Sequence, residues 1–315
     1  MLRLCSLACL FGWGLLFVLG GTARAAEETG LKLQVDPSYV CITRDDRPLL
    51  KYRYGDGPPK PYVLELHSPA GVQILRDSPV DHVHHRGLMY GIFVNGIDFW
   101  SEQPNHGKQV SLERQGSVRE LAGGAAVCRL EEKLQWVTQE AKPLLTENRS
   151  LTVMAAAADL PLTLVTWSLK LAPAEGIDKA VLTGSHYDGL GVRFVVSMDQ
   201  VGRFLYSSGE PGPVVRGTER VTPCKWCAYV APVDGRTVTV ALFDHPDNPR
   251  QPAGMFTMLE PFSYLSATPN IWNNPLELAA GSSLQLQYGI ALWDGETAPD
   301  AIEAIYGRWL KLLKD

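Results

Sequence analysis

Apolar and polar residues alternate with a period of two through most of this chain. Leu31-Lys32-Leu33-Gln34-Val35 alternates. So do Ser150-Leu151-Thr152-Val153, Leu162-Thr163-Leu164-Val165, Arg236-Thr237-Val238-Thr239-Val240 and Ser283-Leu284-Gln285-Leu286-Gln287-Tyr288. A strand sends successive side chains to opposite faces, so these runs specify sheets with one face on a core and one toward water. Turn punctuation separates them: Gly55-Asp56-Gly57-Pro58-Pro59, Asn95-Gly96, Asp234-Gly235 and Asp294-Gly295. Asn-Gly and Asp-Gly between strands favour tight hairpins. The expected fold is all-β, a large antiparallel β-sandwich over residues 26–296.

One helix is expected, over residues 297–315. Ile302, Ile305, Tyr306, Trp309, Leu310 and Leu313 fall on one stripe at helical spacing and should pack on the outside of the sheets. Thr297 followed by Asp300 resembles a capping arrangement, and Pro299 is tolerated in a first turn.

Residues 1–25 read as an export signal: Arg3 at the start, an apolar run over residues 7–19, then Ala23-Arg24-Ala25 as a small-x-small cleavage site. The run is short for a bilayer span, so the expected product is a periplasmic or extracellular protein with no membrane segment after cleavage. Lys and Arg number 29 against 34 Asp and Glu, for a net charge of −5; losing Arg3 and Arg24 makes the balance more acidic. No basic patch of the kind nucleic acid requires is visible. Of six cysteines, Cys5 and Cys9 lie in the leader. Cys41, Cys128, Cys224 and Cys227 remain, and in an oxidising compartment one or two structural disulfides are expected among them.

Three of seven histidines crowd into Pro79-Val80-Asp81-His82-Val83-His84-His85-Arg86-Gly87. Imidazole titrates nearest neutrality, so such a cluster suits proton transfer or metal ligation. If the run is extended, His82 and His84 share one face, with Asp81 and His85 on the other. Pro79 and Gly87 fit equally well a polar loop whose histidines cap backbone groups. Asp81, His82, His84, His85 and Arg86 are the first candidate catalytic set. His186, two residues before Asp188, and His245, in Asp244-His245-Pro246-Asp247-Asn248-Pro249-Arg250, are candidate partners converging from other strands. Asp188, Arg193, Asn248 and Arg250 are candidate substrate-binding groups. Arg193 sits among Val192, Phe194, Val195 and Val196, a setting that calls for a carboxylate, either a substrate's or an internal one such as Asp188 or Glu147. Trp100, Trp272 and Tyr264 offer faces on which sugar rings could stack, with Trp100 equally placed to be core.

These blocks carry a resemblance. His67-Ser68-Pro69-Ala70-Gly71, the residues 81–87 cluster, Val94-Asn95-Gly96-Ile97-Asp98-Phe99-Trp100, Gly189-Leu190-Gly191-Val192-Arg193 and the residues 244–250 block together resemble the exported bacterial family labelled "methane oxygenase PmoA-like". The resemblance implies a secreted β-rich protein that accompanies polysaccharide breakdown. The Gly-Leu-Gly-Val-Arg segment and the strand-rich build are also similar to galactose-mutarotase-type sandwiches. The namesake monooxygenase subunit is an integral membrane protein, and this chain has no apolar run of spanning length after its leader. The chain departs from the family at Val83, where proline is usual, and at Met255-Phe256-Thr257-Met258, where a Trp-His pair is common.

No Gly-x-Ser-x-Gly elbow, phosphate-binding glycine loop or His-Glu-x-x-His is present, so no nucleotide cofactor is expected. The functional expectation is a carbohydrate-active enzyme, a hydrolase, lyase or epimerase, using the histidine cluster for acid–base work. The alternatives are a non-catalytic glycan-binding protein and an oxidase with a His-ligated divalent metal.

Overall fold

A computed structural model of the chain describes residues 30–55, 57–120, 126–154 and 160–313. The expected leader lies outside the described residues.

Two large antiparallel sheets form a sandwich. The first has ten strands in the spatial order β1 (Leu31–Val35), β2 (Tyr39–Arg44), β3 (Arg47–Arg53), β4 (Tyr62–Leu66), β5 (Leu88–Gly91), β13 (Gly189–Arg193), β20 (Tyr264–Thr268), β19 (Gly254–Met258), β16 (Glu219–Pro223) and β15 (Val214–Arg216). The second has eight: β14 (Arg203–Tyr206), β17 (Trp226–Val233), β18 (Arg236–Asp244), β22 (Leu284–Asp294), β11 (Thr163–Pro173), β10 (Pro143–Met154), β9 (Ala126–Val137) and β8 (Lys108–Glu120). A small third sheet runs β21 (Leu276–Ala279), β12 (Lys179–Thr183), β6 (Phe93–Val94) and β7 (Ile97–Asp98). The chain closes with one helix, α1 (Pro299–Leu312).

The alternation explains where the core lies. Tyr52, Val63, Leu88, Tyr90, Leu190 and Val192 of the ten-stranded sheet meet Trp136, Leu151, Trp167, Val240, Leu286 and Tyr288 of the eight-stranded one in a single apolar layer. Asn95-Gly96 and Asp234-Gly235 form two-residue hairpin loops with both residues at positive φ, as the tight turn requires. Asp294-Gly295 instead ends β22 and leads into the helix. The outer face of the eight-stranded sheet carries Phe243, Ala291 and Trp293, and α1 lays Ile302, Tyr306 and Trp309 on it. The expected Thr297 cap is absent: the N-cap is Ala298, with no side-chain hydrogen bond, and Pro299 opens the helix. Among the described residues no helix is long and apolar enough to cross a membrane.

The core layer is not purely apolar. Arg149 of β10 is 2% exposed. It grips Glu147 through Nε (2.6 Å) and Nη2 (2.9 Å), and donates to Gln109 (2.8 Å), Tyr52 Oη (3.1 Å) and the Pro61 carbonyl (3.1 Å). Its guanidinium lies 4.8 Å from the Trp167 ring centroid. Tyr52 in turn donates to Glu132, the cross-strand partner of Arg149. Burial works against the Arg149 charge, yet Glu147 beside it holds the pKa above the usual value; burial pushes the Glu132 carboxyl up.

The four cysteines outside the leader are free thiols, which corrects the expected disulfides. They sit on β2, on β9, in the 223–226 turn and on β17, and no strand pairing places two opposite one another. Cys224 Sγ instead donates to the Trp226 carbonyl (3.2 Å). Burial pushes the Cys128 and Cys224 thiols up to about 12.

Replacing Arg149 with Met leaves Glu147 and Glu132 buried beside no cation. We expect a loss of about 3–5 kcal/mol in urea unfolding, partly restored when Glu147→Gln is added. An unchanged unfolding midpoint in the single variant would show that the network does not hold the sheets together.

Candidate functional site

The outer face of the ten-stranded sheet is also covered. Strands β13, β19 and β20 are buried along their whole length, because their outer residues pack into a second, smaller aromatic cluster. Tyr62, Met89, Trp100, Phe256, Phe262 and Tyr264 are at its centre. Gly191 makes room for it: a Cβ there would meet Tyr264 Oη at 1.8 Å and the Trp100 ring at 2.9 Å.

The histidine cluster lands on the edge of this aromatic face, but not as a strand. His82 N donates to the Pro79 carbonyl and His85 N to the His82 carbonyl, both at 2.9 Å, giving two successive turns. The Asp77–Arg86 bridge closes the loop, and Gly87, at φ 60, brings the chain back to β5. His82 and His85, expected on opposite faces, therefore lie on the same side with His84. Ring centroids are 4.5 Å apart for His84–His85, 4.8 Å for His82–His85 and 5.6 Å for His82–His84. His85 stacks on Tyr264 at 5.0 Å, and His82 meets Phe262 edge-on at 4.7 Å.

Electrostatics divide the three rings. Burial, then the neighbouring Lys60 and His82, push His84 down to about 4; burial and the other two imidazoles push His85 down to about 2. Both are neutral at physiological pH. His82 is half-buried, and its Nδ1 lies 3.0 Å from the exposed Asp81 carboxylate. That contact lowers the Asp81 pKa.

Arg86 does not face this space. Its Nε (3.1 Å) and Nη2 (2.7 Å) clasp Glu102, which also takes Lys60 Nζ at 2.8 Å. Lys60, fully buried, donates as well to the Trp100 carbonyl at 2.7 Å. Burial opposes the Glu102 charge, but the Arg86 and Lys60 contacts outweigh it and hold its pKa below the usual value. This ion triad anchors the histidine loop to the segment bearing Trp100. Trp100 itself is a buried member of the aromatic cluster and not an exposed platform.

His186 reaches the same face from the other side. Its ring lies 5.1 Å from Tyr187, 5.5 Å from Phe256 and 5.9 Å from Trp272. Its Nε2 lies 3.1 Å from Glu219, which Arg216 also contacts at 2.5 Å. Asp188 is buried beneath this turn, accepting from Ser185 N (3.0 Å) and Ser185 Oγ (2.8 Å), and burial pushes it up to about 7. Arg193 pairs with Asp199 (3.1 Å), not with Asp188 or Glu147. It also donates to the Ser263 carbonyl (3.2 Å) and lies 3.9 Å over the Phe262 ring.

His245, Asn248 and Arg250 do not join the cluster. The 244–250 block follows β18 of the other sheet, and His245 packs 5.7 Å from Trp309 of the helix. Asn248 ties Asp244 (2.7 Å) to the Gln287 carbonyl (2.8 Å). Arg250 donates to the carbonyls of Asn270 (2.8 Å), Pro275 (3.0 Å) and Asn274. These are structural fastenings.

Around the aromatic face, His85 Nδ1, Trp100 Nε1, Tyr264 Oη and Arg193 Nε are buried polar atoms with no hydrogen-bond partner. Buried polar groups are ordinarily satisfied, so four orphans around one patch mark a place of interest. No group of three or more His, Cys, Asp and Glu among the described residues is arranged to hold a metal ion. Glu102, Asp199, Glu219 and Phe262 were not singled out by the sequence, where nothing marks them as neighbours of the histidines.

His84 has a folded pKa near 4 against the usual 6.5. The unfolded chain thus takes up a proton there as pH falls from 6.5 toward 4 while the folded chain does not, and stability is lost over that window. Asp188 and Asp244, pushed up to about 7 and about 6, act in the opposite sense. The measurement is therefore a difference: His84→Gln should become more stable relative to wild type on moving from pH 6.5 to pH 4, with a constant offset above. A flat difference would mean that His84 is not held neutral.

Comparison with known proteins adds the following. No curated protein matches the chain. Among solved structures, it is similar to the galactosidase domain of an alpha-galactosidase–sucrose kinase, AgaSK (10% identity, TM-score 0.45, 85% of this chain and 41% of that one). It is also similar to a family 36 alpha-galactosidase, AgaA, from Geobacillus stearothermophilus (10%, 0.44, 85% and 41%). A third is a glycoside hydrolase family 97 enzyme from a Pseudoalteromonas species (9%, 0.40, 84% and 34%). The chain spans about two fifths of the length of the first two. A family model matches residues 39–307 and assigns no activity, so the methane-oxygenase label receives no support from it. The chain belongs to the family of unknown function DUF6807.

Proposed function

We propose that this chain is an exported carbohydrate-active enzyme whose working centre is the imidazole trio on the aromatic face. The observation that carries the reading is the packing of His82, His84 and His85 against Phe262 and Tyr264, beside four unpartnered buried polar atoms. Phe262 and Tyr264 lie buried beneath the trio, while His82 and His84 are half-buried at the rim beside the exposed Asp81, and accessible imidazole nitrogens suit a sugar's hydroxyls. Export rests on the leader read over residues 1–25.

The roles follow from the local charges. His82, oriented through Nδ1 by Asp81, is the general acid–base. His84 and His85 stay neutral and serve as hydrogen-bonding groups that orient the substrate. Two-carboxylate glycoside hydrolysis is less well served, since it needs a second available carboxyl group. Glu102, the acid of the ion triad, has both its oxygens engaged by Arg86 and Lys60. The reaction class favoured is therefore proton transfer at a sugar carbon or at the anomeric oxygen, as in an epimerase or lyase, ahead of a hydrolase.

The test is product and hydrogen–deuterium exchange analysis by NMR on a panel of monosaccharides and oligosaccharides. We expect His82→Ala to lose at least about 100-fold in rate, with smaller losses for His84→Ala and His85→Ala. Equal turnover in all variants would remove the cluster from catalysis. Saccharide binding by wild type without turnover or exchange would make the protein a glycan-binding module.

A further inference from the structure

The aromatic face does not stop at the histidine loop. From His85 it continues through Tyr264 (5.0 Å) and Phe256 (6.2 Å) to His186 (5.5 Å), and then to Trp272 (5.9 Å). Trp272 differs from every other member of this series. It is 42% exposed, whereas Tyr264 and Phe256 are each 2% exposed.

An exposed tryptophan on a slack loop needs no explanation. This loop is held. The Arg250 guanidinium donates to three of its carbonyls, those of Asn270, Asn274 and Pro275, and Asn270 Nδ2 returns hydrogen bonds to the carbonyls of Arg250 and Pro252, both at 3.1 Å. A charged side chain committed to three backbone acceptors fixes the loop and, with it, the indole. Beside the indole stands a hydrogen-bonding pair, His186 and Glu219, whose side chains are 19% and 8% exposed. Glu219 is itself fixed by Arg216. A half-exposed aromatic ring on a held loop, with a partly exposed imidazole oriented by a buried carboxylate at its edge, has the chemistry of a sugar subsite: stacking for the sugar's apolar face, an oriented imidazole for its hydroxyls.

We infer that Trp272, His186 and Glu219 form a second saccharide subsite on the same aromatic side of the ten-stranded sheet as His82–His85, the two tied together beneath the surface by the packed rings of Tyr264 and Phe256, so that the substrate is an oligosaccharide and not a free monosaccharide. The inference rests on the reading of the histidine cluster as a saccharide site and deepens it. Arg250 is a positioning residue for the platform, which gives a role to a group expected from sequence to touch substrate directly.

The test is calorimetric titration of the full chain with gluco-, galacto-, manno- and xylo-oligosaccharides, from mono- to tetrasaccharide. For wild type, affinity should rise from mono- to disaccharide or longer in one series. Trp272→Ala should weaken binding of the longer members roughly tenfold while leaving the monosaccharide unchanged, and Trp272→Phe should retain most of the gain. Trp272 contributes to no buried core, so the unfolding midpoint of both variants should match wild type, which separates lost stacking from lost folding. If wild type binds oligosaccharides and Trp272→Ala binds every length equally well, the second subsite is refuted and the first stands. If wild type binds no saccharide of any length, the reading of the histidine cluster fails and the subsite fails with it.

Discussion

A guanidinium held between two sheets has to find its counter-charge and acceptors inside the protein, and Arg149 finds them on both sides of the sandwich. Glu147 and Gln109 come from the eight-stranded sheet, Tyr52 and the Pro61 carbonyl from the ten-stranded one. Apolar packing alone tolerates small slides of one sheet over another; directed bonds to a planar fork do not. The geometry of Pro61 matters beyond the core. Its neighbours Lys60 and Tyr62 turn to the opposite face, one into the Glu102 triad and the other into the aromatic cluster. A buried ion network on the inner face thus fixes the frame of the site on the outer face.

That outer face combines two features usually kept apart. It is apolar enough to strip water from imidazole, yet it carries cations close by. Lys60 contributes to holding His84 neutral, and Arg193 acts in the same direction on His85. Asp81, in contrast, stands in solvent at the rim, where a carboxylate can steady a half-buried ring without being desolvated. The three histidines are adjacent in sequence but have been given different surroundings, and it is the surroundings that divide their roles.

Much of the architecture was legible in the sequence because alternation reports directly on which face is wet. The strands at Leu31, Ser150, Arg236 and Leu284 follow from it, the two tight hairpins from Asn-Gly and Asp-Gly, and the helix from a stripe of period about 3.6. Where a strand is covered on both faces, as at Gly189–Arg193, alternation disappears, and only the glycines hint that something packs closely. The extended reading of the histidine run failed: Pro79 and Gly87 were the better guides, since they initiate and release turns. His245 was misplaced because sequence cannot say which sheet a strand joins. The partners Glu102 and Asp199 were invisible for a related reason. An ion pair formed across a fold leaves no local pattern, and the choice of Asp188 or Glu147 for Arg193 followed proximity along the chain or mere plausibility. The disulfides were inferred from compartment, whereas pairing depends on which strands are neighbours.

Three of the four thiols are sequestered, with a consequence of their own. Cys128, Cys224 and Cys227 are buried and kept firmly protonated by their surroundings, whereas Cys41 is only partly buried. The thiolate is the nucleophile in disulfide exchange, so burial and protonation together leave these three sulfurs poor partners for any oxidant or mixed disulfide in the folded chain.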